Sequence, residues 1–409
     1  DFVSPEAPVT EGWRPLDGAD PFFVPGPVAD DLEAWWRSFE DPILDELVAK
    51  ARRQNLTLQA AALRILEARA QVGIATGNRY PQVQAANGSV AWVSASENSA
   101  NFNPLLDSSF REATLGFDAA WELDLWGRFQ RGIEAAEASL LAEMAGFEDV
   151  LVSLTAEIAN TYVLIRSFEA RLALARANVA VQTRARDIAR VRFENGLTTE
   201  LDLQQARALL ANTKALIPQL ETGLRQAENG LSVLLGEPPA RVEALLGASG
   251  EIPAVPEAIA IGMPADLLRR RPDIRRAESL AAAQSAVIGL TKAELYPAFS
   301  LSGSVGLRVA DTGGTDLGDL FESKSFEAVG GPGFSWKILN YGRLSNAVRA
   351  EEARFEQAVK SYQSTVLVAA REVEDALVAF IRGRERIEFL EEGVAAAERS
   401  VELALAQYR

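Results

Sequence analysis

Asp118, Glu122 and Asp124 stand in the stretch TLGFDAAWELDLWGR, where alternation puts carboxylates two or four positions apart on one side of an extended chain. Paired carboxylates of this kind can carry out glycoside hydrolysis, one as acid and the other as base or nucleophile. A second cluster, Arg269, Arg270, Arg271, Arg275 and Arg276 in LLRRRPDIRRAE, has the charge to meet phosphate, and VGGPGFSW has the glycines of a phosphate loop. None of the three develops into a site. No pocket signature surrounds the carboxylates, so no enzyme chemistry is expected of them. They read as a wet strand face, either an acidic lining that disfavours anions or charge that simply keeps the face solvated. The arginines flank a helix start, where Pro272 costs nothing and Asp273 offsets the dipole. VGGPGFSW is short of donors, and its glycines suit relief of crowding in a strand.

Composition narrows the chemistry further. The 409 residues contain no Cys and no His, which removes thiol nucleophiles, imidazole bases and the usual zinc ligands. Two methionines, Met144 and Met263, give no track for a soft metal, and no cofactor is expected. A formal net charge of −16 speaks against a nucleic-acid partner. No apolar run reaches the roughly 18 residues of a membrane-spanning helix. The opening DFVSPEAPVTEGWRP has no basic start and no apolar core, so a secretory signal is expected to be absent or already removed.

The elements that hold these residues come in two copies. Trp126-Gly127-Arg128 aligns with Tyr341-Gly342-Arg343 at a shift of 215 positions (341 − 126), and the match runs without a gap to Phe193 and Tyr408. Tyr80-Pro81 and Tyr296-Pro297 are displaced by 216, so one residue of slip separates strand entry from strand exit. Each unit reads as helix, strand, loop, strand, long helix. The first helix is expected from about Pro42 to Gly77 and its equivalent from about Pro264 to Leu295. The long helix from about Phe129 to Glu194 holds no proline and would span roughly 95 Å, a length that demands neighbours along it, as in a coiled coil or helical tube. It breaks at Gly196, Thr198 or Thr199 caps the returning helix, and that helix runs past Pro218 to about Leu235.

Leu115, Phe117, Ala119, Trp121, Leu123 and Leu125 form one apolar phase from Thr114 onward, against Asp118, Glu122 and Asp124 on the other. In the second unit Phe299, Leu301 and Val305 alternate with Ser300, Ser302 and Ser304, and Phe334, Trp336 and Ile338 share a face of a segment expected over 326–339. The first strand is out of phase, Val83 and Ala85 against Val90 and Trp92, which predicts a bulge near Gly88. Such strands suit a transmembrane barrel, with Leu115, Phe117, Trp121, Phe299, Leu301, Phe334 and Trp336 toward lipid and Asp118, Glu122, Asp124, Ser300, Ser302 and Ser304 toward the lumen. Four strands cannot close, and an open edge is not viable in lipid, so the chain must assemble with copies of itself. Two copies give eight strands and a filled interior; three give twelve, which begin to leave a lumen. The long polar loops SENSANFNPLLDSS and DTGGTDLGDLFESKS belong outside, and the helices point inward.

Several stretches in fixed order, among them AAWELDLWGRFQRGIEAAEAS, RFENGLTTELDL, LLRRRPDIRRAE, AELYPAFSLSGSVG and NYGRLSNAVRAEEARF, resemble the signatures of the TolC-like outer-membrane efflux factors, specifically the NodT-type lipoproteins of resistance-nodulation-division systems. The resemblance covers essentially the whole chain. It implies a mixed α and β membrane fold: a homotrimer with a twelve-stranded barrel continuous with a long helical barrel, and an equatorial domain. Within the chain, residues 1–45 would be the N-terminal and equatorial part, 46–81 a helix, 82–125 the first barrel hairpin, and 126–235 a long helix pair with its tip near 195–199. Residues 236–264 would form the equatorial linker, 265–296 a helix, 297–340 the second hairpin and 341–409 the long helix of the second repeat, truncated before its tip. Gly196, Leu197, Thr198 and Thr199 match the family's first tip and would touch the adaptor; in plain chemistry they connect two helices. The implied function is passive export through the outer membrane of a Gram-negative bacterium, in contact with outer-membrane lipid, a periplasmic adaptor of the membrane fusion type and an energising inner-membrane pump. Lipid anchoring at a Cys preceding Asp1 is expected, and the gate residues of the second tip are expected beyond Arg409. A duct for type I protein secretion and a structural helical bundle without a lumen are the alternative readings.

Overall fold

The computed structural model describes residues 2–6, 23–25, 32–96, 98, 100, 107–239, 242–247, 250–254, 259–261 and 268–407. In chain order these form β1 (Phe23–Pro25), α1 (Pro42–Gln54), α2 (Leu56–Gly77), β2 (Val83–Ser94), β3 (Ser109–Leu123), α3 (Arg128–Glu194), α4 (Glu200–Leu234), α5 (Val242–Leu246), β4 (Ile259–Ile261), α6 (Pro272–Ala293), β5 (Ala298–Ala310), β6 (Phe326–Ser335) and α7 (Arg343–Gln407). Short 3-10 turns lie at Leu32–Phe39, Leu317–Phe321 and Ser323–Ser325. Two compact units divide the chain: one holds Ile65–Glu143 and Arg275–Thr365 with the N-terminal residues, the other Pro8–Arg64, Met144–Ile274 and Val366–Arg409. No helix among the described residues is long and apolar enough to cross a membrane.

The first unit carries a four-stranded antiparallel sheet in the order β2-β3-β5-β6. Its two hairpins have one register: Ala86 opposite Phe117 in the first recurs as Leu301 opposite Pro332 in the second, both members displaced by 215 positions (301 − 86 and 332 − 117). The slip of one residue therefore lies at the Tyr-Pro junction, where Gln82 is the extra residue. Proline has no N–H to offer Glu122 across the sheet, and the Gln82 side chain stands in. Its Oε1 accepts from Glu122 N at 2.7 Å and its Nε2 donates to Glu122 O at 3.3 Å.

Four boundaries differ from expectation. The bulge near Gly88 does not form, because β2 pairs with β3 without interruption from Val83 opposite Ala120 to Ser94 opposite Ser109. Val83 and Ala85 simply share the face of Asn87 and Ser89, a position short apolar side chains tolerate. The helix expected from Pro42 to Gly77 is two, parted at Asn55, whose φ of −62° and ψ of 123° are extended. The Asn55 amide donates to Leu234 O at 2.9 Å and its carbonyl accepts from Leu58 N at 2.8 Å, so a buried side chain satisfies both the end of α4 and the start of α2. The second repeat's helix is interrupted at Arg271, with residues 268–270 helical before it and Pro272–Ala293 after it; its expected start at Pro264 lies outside the described residues. β6 ends at Ser335, which leaves Trp336 and Ile338 beyond the strand.

The second unit has its own core. Leu44, Leu47, Val48 and Ala51 of α1 meet Leu154, Ile158, Tyr162 and Ile165 of α3 and Leu231 and Leu235 at the end of α4. Gly236, at φ 69°, closes this corner: a Cβ there would stand 2.5 Å from Gln54 O. Arg166, fully buried, is held by Tyr162 Oη at 3.2 Å, Glu169 at 2.9 Å and Leu246 O at 2.9 Å. Tyr162 in turn donates to Asp41, whose other oxygen caps α1 through Ile43 N and Leu44 N. Burial first, and then the bond to Asp41, push the Tyr162 hydroxyl above its ordinary pKa. The network links the start of α1 to the end of α5 through α3.

Candidate channel wall and helical tip

Directly paired residues of an antiparallel sheet share a face, so the register sorts every predicted wall residue. Trp121 lies opposite Leu301, Phe117 opposite Val305, Leu115 opposite Leu307 and Phe299 opposite Phe334. That face is apolar across three strands, and Leu115, Phe117, Trp121, Leu301 and Phe334 are exposed on it. On the other face Glu122 lies opposite Ser300, Ala120 opposite Ser302 and Asp118 opposite Ser304. The same face gathers charge that sequence reading did not pair: Arg308 donates to Glu112 at 3.0 Å, and Glu327 approaches it at 4.0 Å. The signal for that pairing lies only in the alignment of β3 with β5, residues nearly 200 positions apart.

The three carboxylates part company here. Asp118 accepts from the neutral amide of Asn87 at 2.5 Å. Glu122 pairs with Arg128 at 3.0 Å. Asp124 lies past the end of β3, a correction to its placement on the strand, because the chain turns there into a helix. Its two oxygens accept from Phe129 N at 3.1 Å and Gln130 N at 2.8 Å and satisfy the free amides of α3. Leu125 likewise falls outside the strand.

Indole groups fasten the places where helix becomes strand. Trp121 Nε1 donates to Arg79 O at 3.1 Å, Trp336 Nε1 to Leu295 O at 3.0 Å and Trp126 Nε1 to Pro297 O at 2.8 Å. Arg79 and Leu295 immediately precede the two Tyr-Pro pairs and Pro297 belongs to the second, where proline interrupts the regular bonding. Trp126 also stacks on Tyr296, with centroids 4.8 Å apart and planes 22° apart. Trp336, predicted on a strand face, thus sits at the junction.

At the opposite end of α3, Gly196 adopts φ 70° and Leu197 N donates back to Arg192 O at 2.8 Å, which closes the helix. Thr199 is the N-cap of α4 in a capping box with Asp202. The Asp202 carboxylate accepts from Thr198 Oγ1 at 2.5 Å, Thr199 Oγ1 at 2.8 Å and Thr199 N at 3.0 Å. These bonds, Thr198's first, hold its pKa below the ordinary value. Asp202 is the tip residue sequence reading missed, although the spacing TTELD carries the capping pattern. The result is a fixed turn with Leu197 and Leu201 exposed at 69% and 65%.

A sheet with one apolar and one polar face, joined through aromatic clamps to helices of 67 and 65 residues, defines the class of outer-membrane channels with a helical extension. The family model for outer membrane efflux protein matches residues 47–237 and 263–409, and the chain belongs to that family. It is 32% identical over 408 residues to Nodulation protein T of Rhizobium leguminosarum bv. viciae, covering 100% of this chain and 80% of the relative. It is 29% identical to the probable efflux pump outer membrane protein TtgC of Pseudomonas putida, covering 100% and 82%. Among solved structures, the outer-membrane channel OprN superposes with a TM-score of 0.84 at 30% identity, covering 94% of this chain and 84% of that one. The protein is an outer-membrane exit duct for efflux.

Proposed function

We propose that three copies close a twelve-stranded barrel through which small molecules leave the periplasm passively, driven by an inner-membrane pump of the resistance-nodulation-division type and delivered through a periplasmic adaptor. The observation that carries this reading is the four-stranded sheet itself: apolar on one face, polar on the other, and ending at both sides in strands with no neighbour among the described residues. Twelve strands leave room for water, and eight do not. In this assembly Leu115, Phe117, Trp121, Phe299, Leu301 and Phe334 face lipid, and Trp336 lies at the lipid interface. Asp118, Glu122, Ser300, Ser302 and Ser304 line the lumen, with Asp124 at its inner end. Gly196, Leu197, Thr198 and Thr199 form the adaptor-docking tip, favoured by the exposed leucines and the rigid turn. The termini and the linker at 236–264 build the equatorial domain, and a lipid anchor precedes Asp1.

Catalysis has no part in this reading. Asp118 and Glu122 lie four residues apart on one strand, about 13 Å, beyond the spacing of a glycosidase pair. Glu122 is ion-paired and Asp124 is engaged as a cap. The reading is tested by expressing the chain with its adaptor and pump in a host without its own ducts and following accumulation of a fluorescent efflux substrate. The wild type should lower accumulation and Leu197→Asp should abolish the effect. Accumulation that the wild type leaves unchanged would overturn the export role.

A further inference from the structure

Where β3 and β6 run out toward their helices, the polar side of the sheet holds a recess of about 510 Å³. Glu122, Ala298 and Ser335 line it and place it on that side, since Glu122 lies opposite Ser300 and Ala298 opposite Ser335. One wall is the stacked pair of Trp126 and Tyr296. The indole is pinned to Pro297 O at 2.8 Å, yet the two rings remain 47% and 52% exposed, a fixed aromatic surface open to the recess. Two ion pairs complete the lining, and they differ in firmness. Both Glu122 oxygens accept from Arg128 Nη1, at 3.0 and 3.2 Å, and that guanidinium also lies 5.4 Å from the centroid of the Phe129 ring. Glu294, by contrast, meets the Lys337 ammonium at 3.5 Å, and the lysine is 57% exposed on a flexible stem. The internal repeat shows that this second pair is not demanded by the fold: Glu294 stands where the first copy has Asn78 (294 − 216), and Lys337 where it has Glu122 (337 − 215).

We infer that this recess binds flat aromatic cations and is a pausing point for cargo between the helices and the barrel, an assignment that rests on the export reading above and on the polar face lining the lumen. A planar ring lies against the exposed surfaces of Trp126 and Tyr296, and its positive charge takes the place of the Lys337 ammonium beside Glu294. The exchange is one cation for another, so no carboxylate loses its partner, and the released lysine is solvated by water. Positive charge is favoured twice, by the ring faces and by the lining. Three carboxylates, Glu122, Asp124 and Glu294, stand against Arg128 and Lys337, an excess of one negative charge (3 − 2), which turns anions away. Lys337 also limits how long cargo stays. It is a competitor held within reach of the same carboxylate, and a conduit needs sites that release as readily as they bind.

The test is a titration of the detergent-purified protein, read by fluorescence anisotropy, with ethidium as a planar cation and fluorescein as a planar anion. Ethidium should bind and fluorescein should not. Glu294→Gln should weaken ethidium binding about fivefold, and Lys337→Ala, which removes the competitor, should tighten it about threefold. Both side chains are solvent-exposed in part, so neither variant threatens the fold. Trp126→Leu should weaken binding about fivefold while Trp126→Phe, which keeps a ring, stays within about twofold of the wild type. Ethidium affinity unchanged by Glu294→Gln, weaker binding in Lys337→Ala, or fluorescein bound as well as ethidium would each overturn the site, and equal loss in the two Trp126 variants would remove its aromatic wall. Because the recess lies within a single chain, the titration reads it whatever the number of chains assembled. Dye export by cells without ethidium binding by the purified protein overturns the site and spares the duct; binding without export supports the site and overturns the duct.

Discussion

Trp121 and Trp336, 215 positions apart, make the same hydrogen bond: each indole N–H reaches the carbonyl of the residue before a Tyr-Pro pair, Arg79 at 3.1 Å and Leu295 at 3.0 Å. A duplication that keeps such a bond in both copies keeps the problem it solves. Proline ends the helix and withholds a donor from the first rung of the sheet, so the carbonyls around it need partners from elsewhere. An indole provides an apolar body for the face it lies on and one donor for the carbonyl.

Replacing either indole by a phenyl ring keeps the body and removes the donor. Trp121→Phe and Trp336→Phe should each cost about 1 kcal/mol. Because the two bonds lie at different junctions, the double variant should be additive within about 0.5 kcal/mol. Heat-induced unfolding of the purified protein followed by tryptophan-independent far-ultraviolet dichroism measures this.

The two sheet faces should answer oppositely to charge. Phe117→Arg should cost about 2 to 4 kcal/mol if it faces the middle of the membrane and should deplete the protein from outer-membrane fractions. Ser302→Arg on the other face should leave the amount in the membrane near the wild-type level. Quantitative blotting of fractionated membranes compares them.

In the second unit, Arg166→Met should destabilise by about 3 kcal/mol, because Glu169 and the Leu246 carbonyl are left without their buried partner. Asn55→Ala removes both the α2 cap and the bond to Leu234 O and should cost about 2 kcal/mol. Denaturant unfolding of the two variants gives the values.

At the tip, Thr199→Ala should weaken the start of α4 by about 1 kcal/mol and speed amide exchange at 199–203. The pKa of Asp202 is lowered on folding, so its contribution is complete above the unfolded value near 3.9 and is lost as pH falls through the lower folded value. Tip exchange, corrected for the intrinsic rate, should therefore be flat from about pH 8 to pH 5, and Asp202→Asn should remove the acid transition.

The duplication, the long α3 and the phases of β3 and β5 were legible because periodicity and an ungapped repeat are local signals. A cap at Thr198 or Thr199 was legible for the same reason, and the structure selects Thr199. What stayed hidden was decided across the fold. Asn55 sits in ARRQNLTLQAA, which reads as helix, and its break depends on Leu234, 179 positions away. Asp124 continues the alternation of β3, but the turn at Gly127, with φ 73°, converts it to a cap. The mismatch of Val83 with Trp92 suggested a bulge because phase alone cannot tell a slipped strand from one that carries small apolar residues on its polar side. Trp336 follows the period of β6, but its rung would fall opposite Pro297, which has no N–H to give, and its indole bonds the Leu295 carbonyl instead.

A conducting ring of three chains is tested most directly by native mass spectrometry of the detergent-purified protein paired with single-channel recording of the same sample in a planar bilayer. A mass of three chains with discrete conductance steps is the predicted result. A single chain with a silent bilayer would contradict it.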